Sequence, residues 1–258
     1  MKNLKIALFQ QNIVWHNPTE NLNKISSQLE KIKEDVDLIV LPEMFTTGFT
    51  MNPETIAETM QGNTVEWMKV AAKKNNCAIT GSLVIVENQK YFNRLLFVHP
   101  SGEVNQYNKR HLFTLAGEDT IYSAGNKKLI VTYKGWKISP LICYDLRFPV
   151  WSRNTENYEI LLYVANWPKP RILAWNILLK ARAIENMCYT IGVNRVGLDE
   201  NNYEYTGNSI VFNCLGEALT NIKEGEEVIE LLTLSKSHIS KNREQFNFLN
   251  DKDEFMLP

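Results

Sequence analysis

The run Val36-Asp37-Leu38-Ile39-Val40-Leu41-Pro42 is too apolar to leave one face of a strand in water. A segment of that length and character reads as a strand covered on both faces, the setting of a parallel strand inside an α/β fold. Its neighbours carry the complementary signal. Ile6 to Gln11 is a second short apolar strand, and between the two, Pro18 to Glu34 spaces Leu22, Ile25, Leu29 and Ile32 at helical intervals. Thr64 to Asn75 reads as another amphipathic helix, with Val65, Met68, Val70 and Ala72 marking its apolar side. Ala78 to Val86 and Tyr91 to His99 read as a hairpin turning at Asn88-Gln89. In the second half, Trp136 to Ile142 and Ile160 to Ala165 read as strands and Ile172 to Asn186 as a helix. Tyr189 to Arg195, Asn208 to Asn213 and Glu227 to Leu234 return to strand, and Ser237 to Phe248 reads as a terminal helix or extended tail. Strands alternating with helices, with hairpins interposed, predict an α/β architecture.

At 258 residues and 44% hydrophobic, the chain suits one large α/β domain spanning 1–258, with no linker in it. The 28 basic and 29 acidic residues are spread along the sequence, so no charged face advertises nucleic acid or an anionic membrane as a partner. There is no apolar run of about 18 residues, the length that reads as a membrane span. Met1-Lys2-Asn3-Leu4-Lys5 lacks a signal-peptide pattern, and the expectation is a cytoplasmic protein. Cys77, Cys143, Cys188 and Cys214 lie far apart with no Cys-x-x-Cys pair, which argues against a zinc ribbon, a redox pair or disulfides. Cys77, Cys188 and Cys214 are expected to pack. Of the scattered histidines, His111 is placed to border a site near Lys109, while His16, His99 and His238 read as surface or strand-end residues.

Three stretches each put one reactive side chain where an apolar run gives way to a loop: Leu41-Pro42-Glu43, Tyr107-Asn108-Lys109-Arg110 and Leu141-Ile142-Cys143-Tyr144-Asp145. In open α/β folds, ligands sit outside the carboxyl ends of strands. A thiol is little ionised at neutral pH, so a nucleophilic Cys143 needs a neighbouring base or cation. Taken alone, it reads equally as a buried small hydrophobe. Glu43, half-buried at its strand's end, suits general-base work near neutral pH, and reads equally as an ordinary loop glutamate. An ammonium at Lys109 can stabilise a tetrahedral oxyanion and favour a thiolate, or can belong to solvated surface. Together, a carboxylate, an ammonium and a thiol are the parts of a cysteine amidohydrolase.

With these residues in this order, the chain resembles the carbon-nitrogen hydrolases of the nitrilase superfamily. The resemblance begins at Ile6-Ala7-Leu8-Phe9-Gln10 and continues through Leu41-Pro42-Glu43-Met44-Phe45 and Asn108-Lys109-Arg110-His111-Leu112-Phe113. It runs on through Cys143-Tyr144-Asp145-Leu146-Arg147-Phe148-Pro149, Ala165-Asn166-Trp167-Pro168, the helix Trp175 to Asn186 and the strand Ile191 to Gly197. It implies a four-layer α-β-β-α sandwich in which two sheets are flanked by helices. It further implies that Glu43 is the general base, Lys109 the oxyanion cation and Cys143 the nucleophile, with the backbone amide of Tyr144 as a second oxyanion donor. A second glutamate expected after the lysine matches Glu118 in Gly117-Glu118, followed by Tyr122 and Gly125 as in the amidase branch. Its implied role is to orient Lys109 or to help handle protons and position substrate. Neither metal nor cofactor is called for.

The resemblance is strongest to the omega-amidase branch, which deaminates 2-oxoglutaramate and 2-oxosuccinamate. The implied partner is thus a small-molecule amide carrying a carboxylate at its far end. Arg147, four residues after the nucleophile, is the candidate for that carboxylate because its planar fork pairs bidentately, although it can equally pair with Asp145 for structural reasons. Phe45, Tyr144 and Trp167 are candidate apolar walls, with ordinary packing as the alternative. Other readings are an amidase or nitrilase acting on another small amide, such as deaminated glutathione, or on a nitrile, and a non-catalytic binding protein of the same fold. The resemblance also implies a homodimer, with the tail from about residue 235 and its Phe246, Phe248 and Phe255 either at the interface or folded onto their own domain.

Overall fold

The computed structural model describes residues 2–256. Met1, Leu257 and Pro258, the ends of the expected 1–258 domain, lie outside the described residues. In chain order the first half forms β1 (Leu4–Gln10), α1 (Pro18–Leu29), β2 (Leu38–Val40), α2 (Asn63–Lys74), β3 (Ala78–Glu87), β4 (Lys90–Val98) and β5 (Val104–Asn108). A short helix α3 (Glu118–Ile121) then leads to β6 (Val131–Tyr133), β7 (Trp136–Ile142), α4 (Pro149–Ser152), β8 (Ile160–Ala165), α5 (Ile172–Glu185) and β9 (Tyr189–Asn194). The chain ends with β10 (Val196–Leu198), β11 (Glu204–Thr206), β12 (Ile210–Phe212), β13 (Val228–Leu234) and α6 (Lys236–Phe246).

Two sheets form the centre. One has the order β13-β1-β2-β3-β4-β5 and the other β12-β9-β8-β7-β6, and each has a parallel centre with antiparallel edges. Within the apolar run at 36–42, Leu38–Val40 forms the strand β2, parallel to β1 on one side and to β3 on the other. Side-chain alternation explains the layering. On β1, Leu4, Ile6 and Leu8 face the second sheet, while Ala7 and Phe9 join Ile25 and Leu29 of α1 and Val65, Met68 and Ala72 of α2 in a separate outer core. The far layer is α5, whose Trp175, Leu179 and Ala183 join the core of the second sheet. A fully buried leucine such as Leu179 contributes roughly 1.5–3 kcal/mol. Gly192 on β9 permits the approach, because a Cβ there would lie 2.4 Å from Leu179 Cδ1 and 2.7 Å from Trp175 Cζ2. These layers are the four of an α-β-β-α sandwich.

The β3–β4 hairpin turns at Asn88-Gln89 as the sequence predicts, with φ of +51° and +60° at the two central residues, the backbone that suits the twist of a two-residue turn. Elsewhere the elements are trimmed. α1 stops at Leu29 and a looser turn carries Ile32 back onto the core. The expected strand at 208–213 is paired only over Ile210–Phe212. Val70, placed on the apolar side of α2 by its spacing, is exposed, since Val65, Met68 and Ala72 already fill the contact with the sheet. The segment from about 235 is helix α6, held to the body by buried Ile239 and by Arg243 Nε donating to the Met187 carbonyl at 2.7 Å. Phe246, Phe248 and Phe255 stay exposed. Among the described residues, no helix is long and apolar enough to cross a membrane.

Candidate active site

The strands converge their carboxyl ends on one spot, and each end delivers a polar side chain. Glu43 follows β2, Lys109 follows β5, Cys143 follows β7, and Asn166 follows β8. Glu43 is fully buried, deeper than its strand-end position predicts, and its carboxylate accepts from Asn93, Lys109 and the Asn166 N–H there. Lys109 Nζ donates to Glu43 Oε1 at 2.9 Å and to Glu118 Oε2 at 2.9 Å, and all three residues are buried. Glu118 opens α3 and is fixed by the Phe113 N–H, which donates to its Oε2 at 2.6 Å.

Cys143 sits at φ +43°, a conformation costly for a residue with a Cβ, of order 1–3 kcal/mol. The strain turns the thiol out of the strand line into the cavity. It is held there by Asp145, whose Oδ2 accepts from the Ile142 N–H at 3.1 Å and from Tyr107 Oη at 2.7 Å. Asp145 Oδ1 accepts from the His111 N–H at 3.0 Å and lies 2.8 Å from His111 Nδ1. His111 thus supports the Cys143 turn through Asp145 and does not line the cavity. Asp145 is committed to these partners, so the structural pairing with Arg147 does not occur.

Burial pushes the Cys143 thiol pKa well above the usual cysteine range, and the Glu43 carboxylate adds to the rise while Lys109 opposes it. The free thiol is therefore protonated at neutral pH. Burial alone would lower the Lys109 pKa, but Glu118, Glu43 and Cys143 outweigh it and keep the ammonium charged. Glu118 is raised, by burial first and by Glu43, against the pull of Lys109.

Two asparagines complete the cluster, and sequence reasoning did not assign them a role. Asn93, inside β4, donates from Nδ2 to Glu43 Oε1 at 2.7 Å and to Glu118 Oε1 at 3.3 Å. The backbone N–H of Asn166 donates to Glu43 Oε2 at 2.8 Å, and its carbonyl lies 3.9 Å from Cys143 Sγ. The signal for Asn166 was available, since it ends the apolar strand β8 as Glu43 ends β2. Asn93 carried no comparable signal.

Glu43, Cys143 and Asn166 line a cavity of about 460 Å³ with Tyr144, Trp167 and Arg147 among its walls. Phe45 is not part of it. Its ring packs in the outer core with Trp67, at 6.3 Å between centroids, because the turn at Met44 directs it towards α2. Such a cavity can seat a small carbonyl compound against a thiol and a carboxylate, with the Lys109 ammonium bonded to that carboxylate.

Residues 5–240 match the model of the family described as carbon-nitrogen hydrolase. The chain belongs to the carbon-nitrogen hydrolase family. It is thus a hydrolase of carbon–nitrogen bonds other than peptide bonds. It is similar to the omega-amidase YafV of Escherichia coli (strain K12), with 47% identity over 100% of both chains. It is also 36% identical to the 2-oxoglutaramate amidase of Bacillus subtilis (strain 168), over 83% of this chain and 84% of that one. Among solved structures, XC1258 from Xanthomonas campestris, a CN-hydrolase superfamily protein with an arsenic adduct in the active site, superposes with a TM-score of 0.97 at 41% identity, covering 100% of both chains. These likenesses bear out the nitrilase-type fold that the sequence implies.

Proposed function

We propose that this carbon-nitrogen hydrolase is an omega-amidase that releases ammonia from the terminal amide of small 2-oxo acid amides. The observation that carries the reading is the buried Lys109 bridging Glu43 and Glu118, with Glu43 and Cys143 lining a cavity walled by Arg147, within a chain 47% identical end to end to an omega-amidase. Glu43 takes the thiol proton as Cys143 Sγ attacks the amide carbonyl. Lys109 Nζ and the Tyr144 N–H hold the oxyanion. The C–N bond breaks as Glu43 returns the proton to nitrogen, and ammonia leaves a thioester. A water, deprotonated by Glu43, adds to the thioester, and the free acid departs as the thiol regains its proton. Glu118 keeps Lys109 aimed at the oxyanion, and Arg147 receives the distal carboxylate over the Trp167 ring, 5.0 Å from its guanidinium carbon.

We place the enzyme in the cytoplasm as a homodimer of single hydrolase domains. Leu173, Ile177 and Ile184 support the dimer, since they form an apolar row on the outer side of α5 and are 70%, 57% and 46% exposed. The test of function is ammonia release from 2-oxoglutaramate and 2-oxosuccinamate beside glutamine, asparagine and a simple nitrile, with Cys143→Ala as control. Turnover confined to the oxo-acid amides and lost in the variant is expected. Turnover of the nitrile, or of the amino-acid amides at equal efficiency, would overturn the reading.

A further inference from the structure

Arg147 is not alone. Arg171, just before α5, lines the same cavity, and its carbonyl accepts the Trp167 Nε1 hydrogen at 2.8 Å. One indole therefore carries the Arg147 guanidinium on its face and anchors the Arg171 backbone by its N–H. The Arg171 guanidinium lies in turn over the ring of Phe113, 4.9 Å from its centre. Phe113 packs edge-on against Tyr144 at 5.0 Å, so both stacked arginines stand beside the nucleophile turn. Among the described residues, neither guanidinium is paired with a carboxylate. Of the acids lining the cavity, Glu43 is committed to Lys109 and Asn93, Asp199 to the Asn201 and Tyr203 N–H groups and to Tyr205 Oη, and Glu200 is exposed and bonded to neither arginine. A guanidinium stacked by its face keeps its N–H edge free for a planar anion.

We propose that Arg171 is a specificity-determining residue that, with Arg147, forms a two-guanidinium clamp for the oxo-acid end of the substrate. A 2-oxo acid presents a carboxylate and an adjacent carbonyl oxygen, more acceptor sites in one plane than a single fork fills. Two forks on the walls of one cavity match that end, and a neutral alkyl amide offers them nothing. The inference deepens the omega-amidase reading by naming its second recognition residue, and it rests on that reading for the oxo group alone. The carboxylate requirement stands on the arginines themselves.

The experiment measures alkylation of Cys143 by iodoacetamide in the intact protein, with 2-oxoglutarate or its dimethyl ester as protectant, so no turnover is needed. Each protein is referred to its own unprotected rate. In Arg171→Met the concentration of 2-oxoglutarate giving half-protection is expected to rise about tenfold or more, and that of the ester much less, since the lost contact is charge-assisted. Arg171→Lys, which keeps the charge without the fork, is expected to fall between parent and Arg171→Met. Thermal melting of both variants separates misfolding from lost recognition, with the lysine variant carrying the test where the methionine variant does not fold. Equal shifts for acid and ester, no shift for either, or no protection of the parent by 2-oxoglutarate would overturn the proposal. Arg171-dependent protection alongside absent oxo-amide turnover would instead remove the omega-amidase reading and leave the carboxylate clamp standing.

Discussion

Asn166 holds Glu43 at both ends. Its backbone N–H donates to Glu43 Oε2 at 2.8 Å, while its side-chain Nδ2 donates to the Glu43 carbonyl at 2.6 Å. The contact ties the end of β2 in one sheet to the end of β8 in the other, so the Glu43 carboxylate is positioned by the packing of the sandwich itself. Asn166→Ala retains the first bond and loses the second, leaving a buried carbonyl unpaired at a cost of about 1–3 kcal/mol. The expected kinetic result is a kcat about a hundredfold lower with KM little changed, because a small displacement of the base harms the attack more than it harms binding. Steady-state ammonia release and chemical denaturation check the two halves separately.

Glu43 and Lys109 pull the Cys143 thiol in opposite directions, with Glu43 raising its pKa and Lys109 lowering it. Removing the base therefore has two opposed consequences. Glu43→Gln abolishes turnover because no group accepts the thiol proton, yet it lowers the thiol pKa because the ammonium remains and the carboxylate charge is gone. The rate of Cys143 alkylation by iodoacetamide, followed from about pH 6 to pH 10, is expected to reach its plateau at lower pH in the variant than in the parent. A plateau at the same or higher pH would mean that Glu43 does not bear on the thiol as the geometry has it.

How far the sequence reveals this site depends on where each residue sits. Glu43 and Cys143 end apolar runs, so their strand-end placement follows from hydrophobicity alone, and Lys109 follows from its order behind the β3–β4 hairpin and the resemblance it completes. The same logic reaches Asn166. It does not reach Asn93, an inward-facing residue in the middle of an antiparallel strand, where one buried polar side chain looks like an exception to a pattern until its partners are seen across the sheet. Phe45 shows the reverse error. Adjacency to Glu43 along the chain suggested a cavity wall, but the left-handed turn at Met44 sends the ring into the outer core. The four layers followed from the family resemblance, while the alternation of strands and helices was legible from the apolar runs. The antiparallel return of β13 beside β1 was not, because it joins residues more than two hundred positions apart.

Glu118 is a buried carboxylate whose pKa is raised, with burial as the largest cause. For a group raised in the folded state, the stability it contributes is full below its unfolded pKa, about 4.3, and is lost as pH rises through the folded value. Glu118→Gln removes that loss and leaves Lys109 paired with Glu43. The difference in Tm between parent and Glu118→Gln is therefore expected to move against the parent as pH rises from about 4 to about 8. Activity is lower in the variant throughout that range, since Lys109 loses one of its two anchors. A Tm difference that is flat with pH would show that Glu118 titrates alike in folded and unfolded chains.

The exposed row on α5 makes the last prediction. Leu173 and Ile177 lie four residues apart, hence on one helical face, and an enzyme leaving such residues in water would carry an unfavourable apolar surface. The inward side of the same helix is filled by Trp175, Leu179 and Ala183, so the row cannot turn to the core without emptying it. A second copy of the chain is the proposed cover. Ile177→Glu puts a charge at the centre of that contact, where burying it without a partner costs several kcal/mol. Light scattering is expected to report the dimer mass for the parent and the single-chain mass for the variant, with the far-ultraviolet circular dichroism of both alike. A variant that keeps the parental mass would place the subunit contact on another surface.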